Sequence, residues 1–205
     1  MSKRHAILAA GVLALASLTA WRYLGPSATA GSIVLPAPVV NDLQAGDLIF
    51  REGREPVSDA VRAVDMGGYS HVGMLLGSPG HWQVVHAVPA EQPDRIDGVV
   101  DDSLDDFLLH ARARRVAVVR VEATPSQRLE AVAHAQARRG TPFRVTADGT
   151  YCTELVWRAY QDSGVDLRVR FEHMNLPLLT PGDYLLPSAL LASPRLTRLY
   201  ESPES

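Results

Sequence analysis

Cys152 is the single cysteine of this 205-residue chain, and it heads a helix-like stretch, GTYCTELVWRAY (149–160). Leu155, Val156, Ala159 and Tyr160 give that stretch one apolar face. A thiol in a first helical turn meets unpaired backbone N–H groups and the positive end of the helix dipole. Both favour an anion, so the position suits a thiolate nucleophile of lowered pKa, and the same N–H groups can donate to an oxyanion as it forms. Glu154 would work against the thiolate; the bland reading makes it ordinary N-terminal helix charge. The bland reading of Cys152 itself is a small buried hydrophobe.

A thiolate also needs a base, and two histidines stand on a stretch that reads as a hairpin. YSHVGMLLG (69–77) and WQVVHAV (82–88) read as strands joined by the short loop SPGH. A four-residue connection pairs residue 77 with residue 82. His71 and His86 then project from one face, directly opposite or one diagonal step apart, roughly 7–8 Å in the diagonal case. Gly73 would face His86 and leave room for the rings to approach. The roles this suggests are Cys152 as nucleophile, His71 as general base and His86 as the group that orients His71.

Other clusters carry less chemistry. His81 and His86 point to opposite sides of a strand, which argues against a zinc pair. His110, His134 and His173 fall on helices or loops and read as solvated. DDSLDD (101–106) lacks the glycine and terminal glutamate of an EF-hand, so it reads as helix capping and a solvated face. Ser70 lacks the G-x-S-x-G spacing of a nucleophile elbow. No cofactor and no metal site is expected.

The surrounding elements must position these groups. AGDLIFRE (45–52) reads as a turn and a strand, PVSDAVRAVDMGG (56–68) as a helix, and DSLDDFLLHAR (102–112) as a helix capped by Asp102 or Ser103. RVAVVRVE (115–122) reads as a strand. TPSQRLEAVAHAQARRG (124–140) is a helix with Thr124 as N-cap, Pro125 in its first position, Gln127 closing a capping box and Gly140 ending it. The helix that begins at Cys152 stops at Gly164. The C-terminal stretch suggests short helical turns broken by Pro181, Pro187 and Pro194, and segment 89–101 a loop beside the hairpin. The sum is an α+β domain: a small, largely antiparallel sheet packed against helices.

Residues 1–30 have the order of a secretory signal: the basic start MSKRH, an apolar run over 6–21, and ATA (28–30) before Gly31. An uncleaved anchor through residues 6–21 is the alternative, with Trp21, Arg22 and Tyr23 at the interface. Either way the protein is expected to be exported, periplasmic or anchored to the inner membrane facing the periplasm. Residues 31–42 read as a Pro-punctuated linker and 43–205 as the domain. Losing residues 1–30 removes Lys3, Arg4 and Arg22 and no acid, taking the formal charge from −3 to −6, which argues against nucleic acid as a partner. Lys3 is also the chain's only lysine, so the mature domain can form neither a Ser–Lys dyad nor a Schiff base.

AGDLIF (45–50), SHVGMLLG (70–77) and VVHA (84–87) together resemble the Asp turn, His strand and second polar strand of NlpC-type cell-wall peptidases. There the Cys segment comes first. Here YCTELVW (151–157) comes last, an order that resembles the circularly permuted, papain-like YiiX-type amidases and peptidases, whose relatives include the lecithin:retinol acyltransferase group. The resemblance spans about residues 43–192 and implies a permuted papain-like fold with Cys152 as nucleophile, His71 as base and His86 as third polar residue. Many relatives have Glu at that last position. Asp47 matches a turn position with a structural role.

The family chemistry so implied is cleavage or transfer at an amide or ester through an acyl-enzyme. Its substrates range over peptides, peptidoglycan fragments and acylated lipids. The leading expectation is an exported cysteine hydrolase acting on a cell-envelope substrate. One rival is a membrane-surface acyltransferase or lipid amidase, with the same nucleophile and another acceptor. The other is an envelope binding module that retains the fold without catalysis.

Overall fold

Strand after strand sends alternate side chains into two separate apolar layers, so both faces of the central sheet are covered. The computed structural model describes residues 31–90, 97–146, 148–175 and 180–203; the apolar run at 6–21 and its expected role as signal or anchor lie outside them. The chain order is α1 (Ala37–Asp42), β1 (Leu48–Gly53), α2 (Pro56–Val64), β2 (His71–Ser78), β3 (His81–Val88), β4 (Gly98–Ser103) and α3 (Leu104–Phe107). There follow β5 (Ala113–Val121), α4 (Pro125–Ala137), α5 (Cys152–Asp162), β6 (Glu172–Met174), β7 (Gly182–Tyr184), α6 (Pro187–Leu191) and β8 (Leu196–Glu201). Among the described residues, six strands form one antiparallel sheet in the order β4-β3-β2-β1-β5-β8, and β6 pairs with β7 separately. This is the expected α+β architecture.

One face of the sheet presents Leu48, Phe50, Val72, Met74 and Val85 to α4 and α5. α5 forms because Leu155, Val156, Ala159 and Tyr160 fall on one side and are all buried. α4 carries the capping box read from its sequence: the Thr124 hydroxyl accepts from the Gln127 N–H, and Gln127 Oε1 accepts from the Thr124 N–H. The opposite face presents Ile49, Leu75, Val84, Val116 and Val118 to Leu35, Leu43, Phe107 and Leu108.

The turn before β1 ties these parts together. Gly46 has φ +91°, a conformation that suits glycine, and a Cβ there would fall 2.7 Å from Arg128 Cβ. Its carbonyl accepts from the Tyr160 hydroxyl at 2.6 Å, which fastens α5 to the turn. Asp47, fully buried, accepts the Gln44 N–H at 2.8 Å and both Nε and Nη2 of Arg120 at 2.9 and 2.8 Å. A carboxylate so enclosed needs this pairing, and the bidentate fork supplies it.

Several elements differ from the sequence reading. Residues 32–43 do not stand apart as a linker: Ser32 bridges to Leu109, and Leu35 and Leu43 are buried in the second layer. Their apolar side chains have Phe107 to cover, so the segment lies against the domain. The helix expected over 102–112 shrinks to α3. Ser103 caps it, accepting the Asp106 N–H at 3.0 Å, while Asp102 belongs to β4. The loop expected over 89–101 contributes β4 from Gly98 onward. The C-terminal stretch holds one short helix, α6, and then enters the sheet as edge strand β8 beside β5.

Candidate active site

The hairpin keeps the register that the sequence implied. Gly77 pairs with Trp82 and Met74 with Val85, and the strands continue to Ser78 and His81, leaving Pro79 and Gly80 as the turn. Continued one step, the register sets Gly73 across from His86 and His71 one diagonal away. The missing Cβ at Gly73 matters, since one built there would fall 2.3 Å from Val84 Cγ1 and 3.2 Å from His86 Cβ. The two imidazoles therefore meet: His71 Nε2 lies 2.7 Å from His86 Nδ1, with both residues buried. Phe107 packs against both rings, at 5.8 Å from His71 and 5.4 Å from His86 between centroids.

Asp102 completes a line of groups that the sequence reading missed. Its Oδ2 lies 3.2 Å from His86 Nε2 and accepts from Arg112 Nη1 at 2.9 Å. The reading of DDSLDD as caps and solvated face holds for Ser103 and for exposed Asp105 and Asp106, but not for Asp101, whose buried side chain pairs with Arg139, or for Asp102. The signal was available only with β4 in place: Asp102 pairs with Val84, which is two residues from His86 on the same strand face.

With Asp102 ionised and 3.2 Å from His86 Nε2, the tautomer that suits this line carries the His86 proton on Nε2 and offers Nδ1 as an acceptor. His71 then donates through Nε2, and its Nδ1 is left as the basic nitrogen.

Cys152 sits at the first position of α5, whose N-terminus has no side-chain cap, so the first-turn N–H groups are not taken up in that way. It shares a small pocket with His71, Arg51, Glu55 and Ser70, at the end of the sheet where β2 begins and β3 finishes. The thiol pKa departs from the sequence expectation. Burial pushes it up, and this outweighs the lowering effects of the Val72, Thr153 and Cys152 N–H groups and the Arg51 charge. The helix terminus acts in the expected direction and loses to desolvation. Glu154 is buried and ion-paired with Arg158 and, at 3.7 Å, with Arg138, so its charge is compensated within its own surroundings.

Arg51 stands directly opposite His71 in the β1–β2 register and is itself buried. It forms an ion pair with Glu55 at 2.6 Å and lays its guanidinium 4.6 Å from the Phe107 ring centre. An Arg51–Glu55 ion pair thus flanks the thiol and imidazole, with the guanidinium charge favouring the thiolate. Adjoining the small pocket, and sharing Val57, Val61, Ser70 and Phe143 with it as well as Cys152, opens a second cavity of about 390 Å³, bounded by α2, Phe143, Tyr151 and the segment 184–187.

Among the described residues, no histidine besides His71 lines the pocket it shares with Cys152. His81 and His134 are exposed, and His173 is exposed and paired with Asp183 at 2.9 Å.

A permuted papain-like frame with a thiol, an imidazole and a polar line behind it defines a class of cysteine-type hydrolase. Residues 42–200 match the family described as permuted papain-like amidase enzyme, YaeF/YiiX, C92 family, and the chain belongs to it. A crystal structure described as metalloprotein yiiX from Escherichia coli O157:H7 is similar, with TM-score 0.64 and 24% identity over 78% of this chain and 97% of that one. Comparison with curated proteins gives no match. The resemblance drawn from the motifs and the expected fold class are thereby borne out. Among the described residues, no group of three or more His, Cys, Asp or Glu side chains is placed to hold a metal ion.

Proposed function

We propose that this chain is an exported cysteine hydrolase that cleaves an amide or ester bond in a cell-envelope substrate. The observation that carries the reading is the line Asp102–His86–His71 ending in the pocket that Cys152 shares. Burial favours the neutral thiol of Cys152, so in this mechanism its proton leaves during attack: His71 Nδ1 takes it as sulfur bonds to the carbonyl carbon. The carbonyl oxygen gains the negative charge, and the Cys152 backbone N–H donates to it. The resulting imidazolium protonates the leaving amine or alcohol as its bond to carbon breaks, leaving a thioester. Water then attacks the thioester, giving one proton to His71, and the acid departs as that proton returns to sulfur.

His86 and Asp102 act through His71. They hold its Nε2–H and so keep Nδ1 aimed outward, and they stabilise the charge that the imidazole acquires. Export is supported by the order of residues 1–30, basic, then apolar, then small. No helix among the described residues is long and apolar enough to cross a membrane.

The test is direct. Incubated with an activated acyl ester, the wild-type chain should gain one acyl mass that hydroxylamine removes, and Cys152→Ala should gain none. Turnover should fall by several orders of magnitude in Cys152→Ala and His71→Ala. Full turnover by Cys152→Ala would end the proposal. Fractionation of the producing cell tests export separately, with the chain expected in the envelope fraction.

A further inference from the structure

We infer that Thr153 and Tyr151, the two neighbours of Cys152 in the chain, are positioning residues that fix the nucleophile by gripping the backbone of Leu185. The inference rests on the hydrolase reading and adds to it the residues that aim its thiol. Thr153 Oγ1 donates to the Leu185 carbonyl at 2.6 Å, and Tyr151 Oη accepts from the Leu185 N–H at 3.1 Å. Burial pushes the Tyr151 hydroxyl up to about 12, so it stays a neutral phenol whose oxygen accepts. One residue of the 184–187 segment is thus held at both of its backbone polar groups, once from each side of Cys152. Thr153, Tyr151 and Leu185 are all buried, so a lost bond strands a donor or acceptor away from water.

The nucleophile needs such a grip. Cys152 opens α5, whose N-cap residue Tyr151 makes no side-chain cap, and the end of a helix is where it frays. Both the thiol and the Cys152 N–H, the oxyanion donor of the proposed mechanism, belong to that first turn. A misplacement of about 1 Å can cost about a hundredfold in rate. The Leu185 side is itself anchored: the segment leads from β7 into α6, and buried Asp65 accepts the Ser188 N–H at 2.8 Å. A second tie reaches α5 from the end of α4, where Arg138 donates to Thr150 Oγ1 at 2.5 Å and lies 3.7 Å from Glu154. That tie does not pass through Leu185, so it keeps the start of α5 in the fold when the Thr153 bond is removed. The Leu185 grip adds the final placement of Cys152, bracketed between Tyr151 and Thr153.

The experiment follows the burst of p-nitrophenol from p-nitrophenyl acetate, which reads acylation, and the intact mass of the Cys152 adduct in the full chain. Thr153→Val keeps the side-chain shape and loses the donor; its burst rate should fall about 10- to 100-fold with Tm close to wild type. Thr153→Ser restores the hydroxyl and should return the rate to within about threefold of wild type. Amide hydrogen exchange over residues 151–157 should quicken in Thr153→Val and recover in Thr153→Ser. A wild-type burst in Thr153→Val with Cys152 still acylated, or equal losses in the Val and Ser variants, would overturn the positioning role and leave the hydrolase standing. Should Thr153→Val fail to fold, Tyr151→Phe carries the test: it removes the acceptor of the Leu185 N–H and should slow the burst about 3- to 30-fold. An unchanged burst there would overturn the role as well. If the wild-type chain itself leaves no adduct on Cys152, the hydrolase reading falls and takes this inference with it.

Discussion

His71 Nε2 and His86 Nδ1 lie 2.7 Å apart, so the residue behind the basic imidazole is a second imidazole. An ionised carboxylate in that place could only accept a hydrogen bond. A neutral imidazole has two arrangements, and only the one with its proton on Nε2 leaves Nδ1 free to accept from His71. The Asp102 charge, 3.2 Å from His86 Nε2, favours that arrangement. In the proposed hydrolase the third position works as a pair: His86 spans the distance and Asp102 provides the charge.

This predicts an unequal pattern of substitutions. Asp102→Asn can present its amide N–H to His86 and stabilise the wrong tautomer, and kcat should drop by about 10- to 100-fold. His86→Glu places a carboxylate next to His71 directly and should retain most activity, in keeping with the Glu that the resemblance expects at this position. In the His86→Glu background, Asp102→Asn should cost little. A double-mutant cycle on kcat reads this coupling, and additive losses would show that Asp102 does not act through His86.

The raised thiol pKa makes a second prediction, about the resting enzyme. Because burial favours the neutral thiol, iodoacetamide labelling of Cys152 should be slow at neutral pH. It should climb only above the ordinary thiol value of about 8.5. Arg51 works the other way, its charge favouring the thiolate. Arg51→Met should therefore slow labelling at pH 8 by about two- to tenfold, while Arg51→Lys should not. The same shift bears on stability. The protonated thiol's contribution is complete below the unfolded-state pKa and is lost as pH rises through the higher folded-state value. Rapid labelling at pH 6 that disappears in His71→Ala would instead reveal a preformed ion pair.

How far the sequence carried this picture depends on the range of each interaction. The hairpin register, the Thr124 capping box and the start of α5 at Cys152 were legible because each is set by neighbours within a few residues. Asp102 was not, because its role depends on β4 pairing with β3, and four clustered aspartates look alike until one is placed beside His86. β8 was hidden for a similar reason, since LTRLYE looks unremarkable until β5 offers it an edge. The thiol pKa was misread because sequence shows the helix terminus and conceals the desolvation that outweighs it. The apolar cavity is likewise assembled from α2, α5 and the 184–187 segment, which no local pattern connects.

The last prediction separates holding the fold from doing chemistry. Asp47 is fully buried beneath the turn that fastens β1 to α5, and its partners Arg120 and the Gln44 N–H leave it no exposure to water. Asp47→Ala removes the buried carboxylate and leaves Arg120, one-fifth exposed, with exposed Asp42 as its remaining carboxylate partner. Breaking one side of such a pair should cost about 3 kcal/mol, or roughly 6–12 °C in Tm for a chain of this size. Arg120→Met should cost a comparable amount by leaving Asp47 uncompensated. At temperatures where both variants remain folded, their kcat and their Cys152 labelling profile should stay near wild type. That outcome would identify Asp47 as a fold determinant, as the turn position in the sequence suggested. A loss of kcat with Tm unchanged would place Asp47 in the chemistry and contradict the geometry described here.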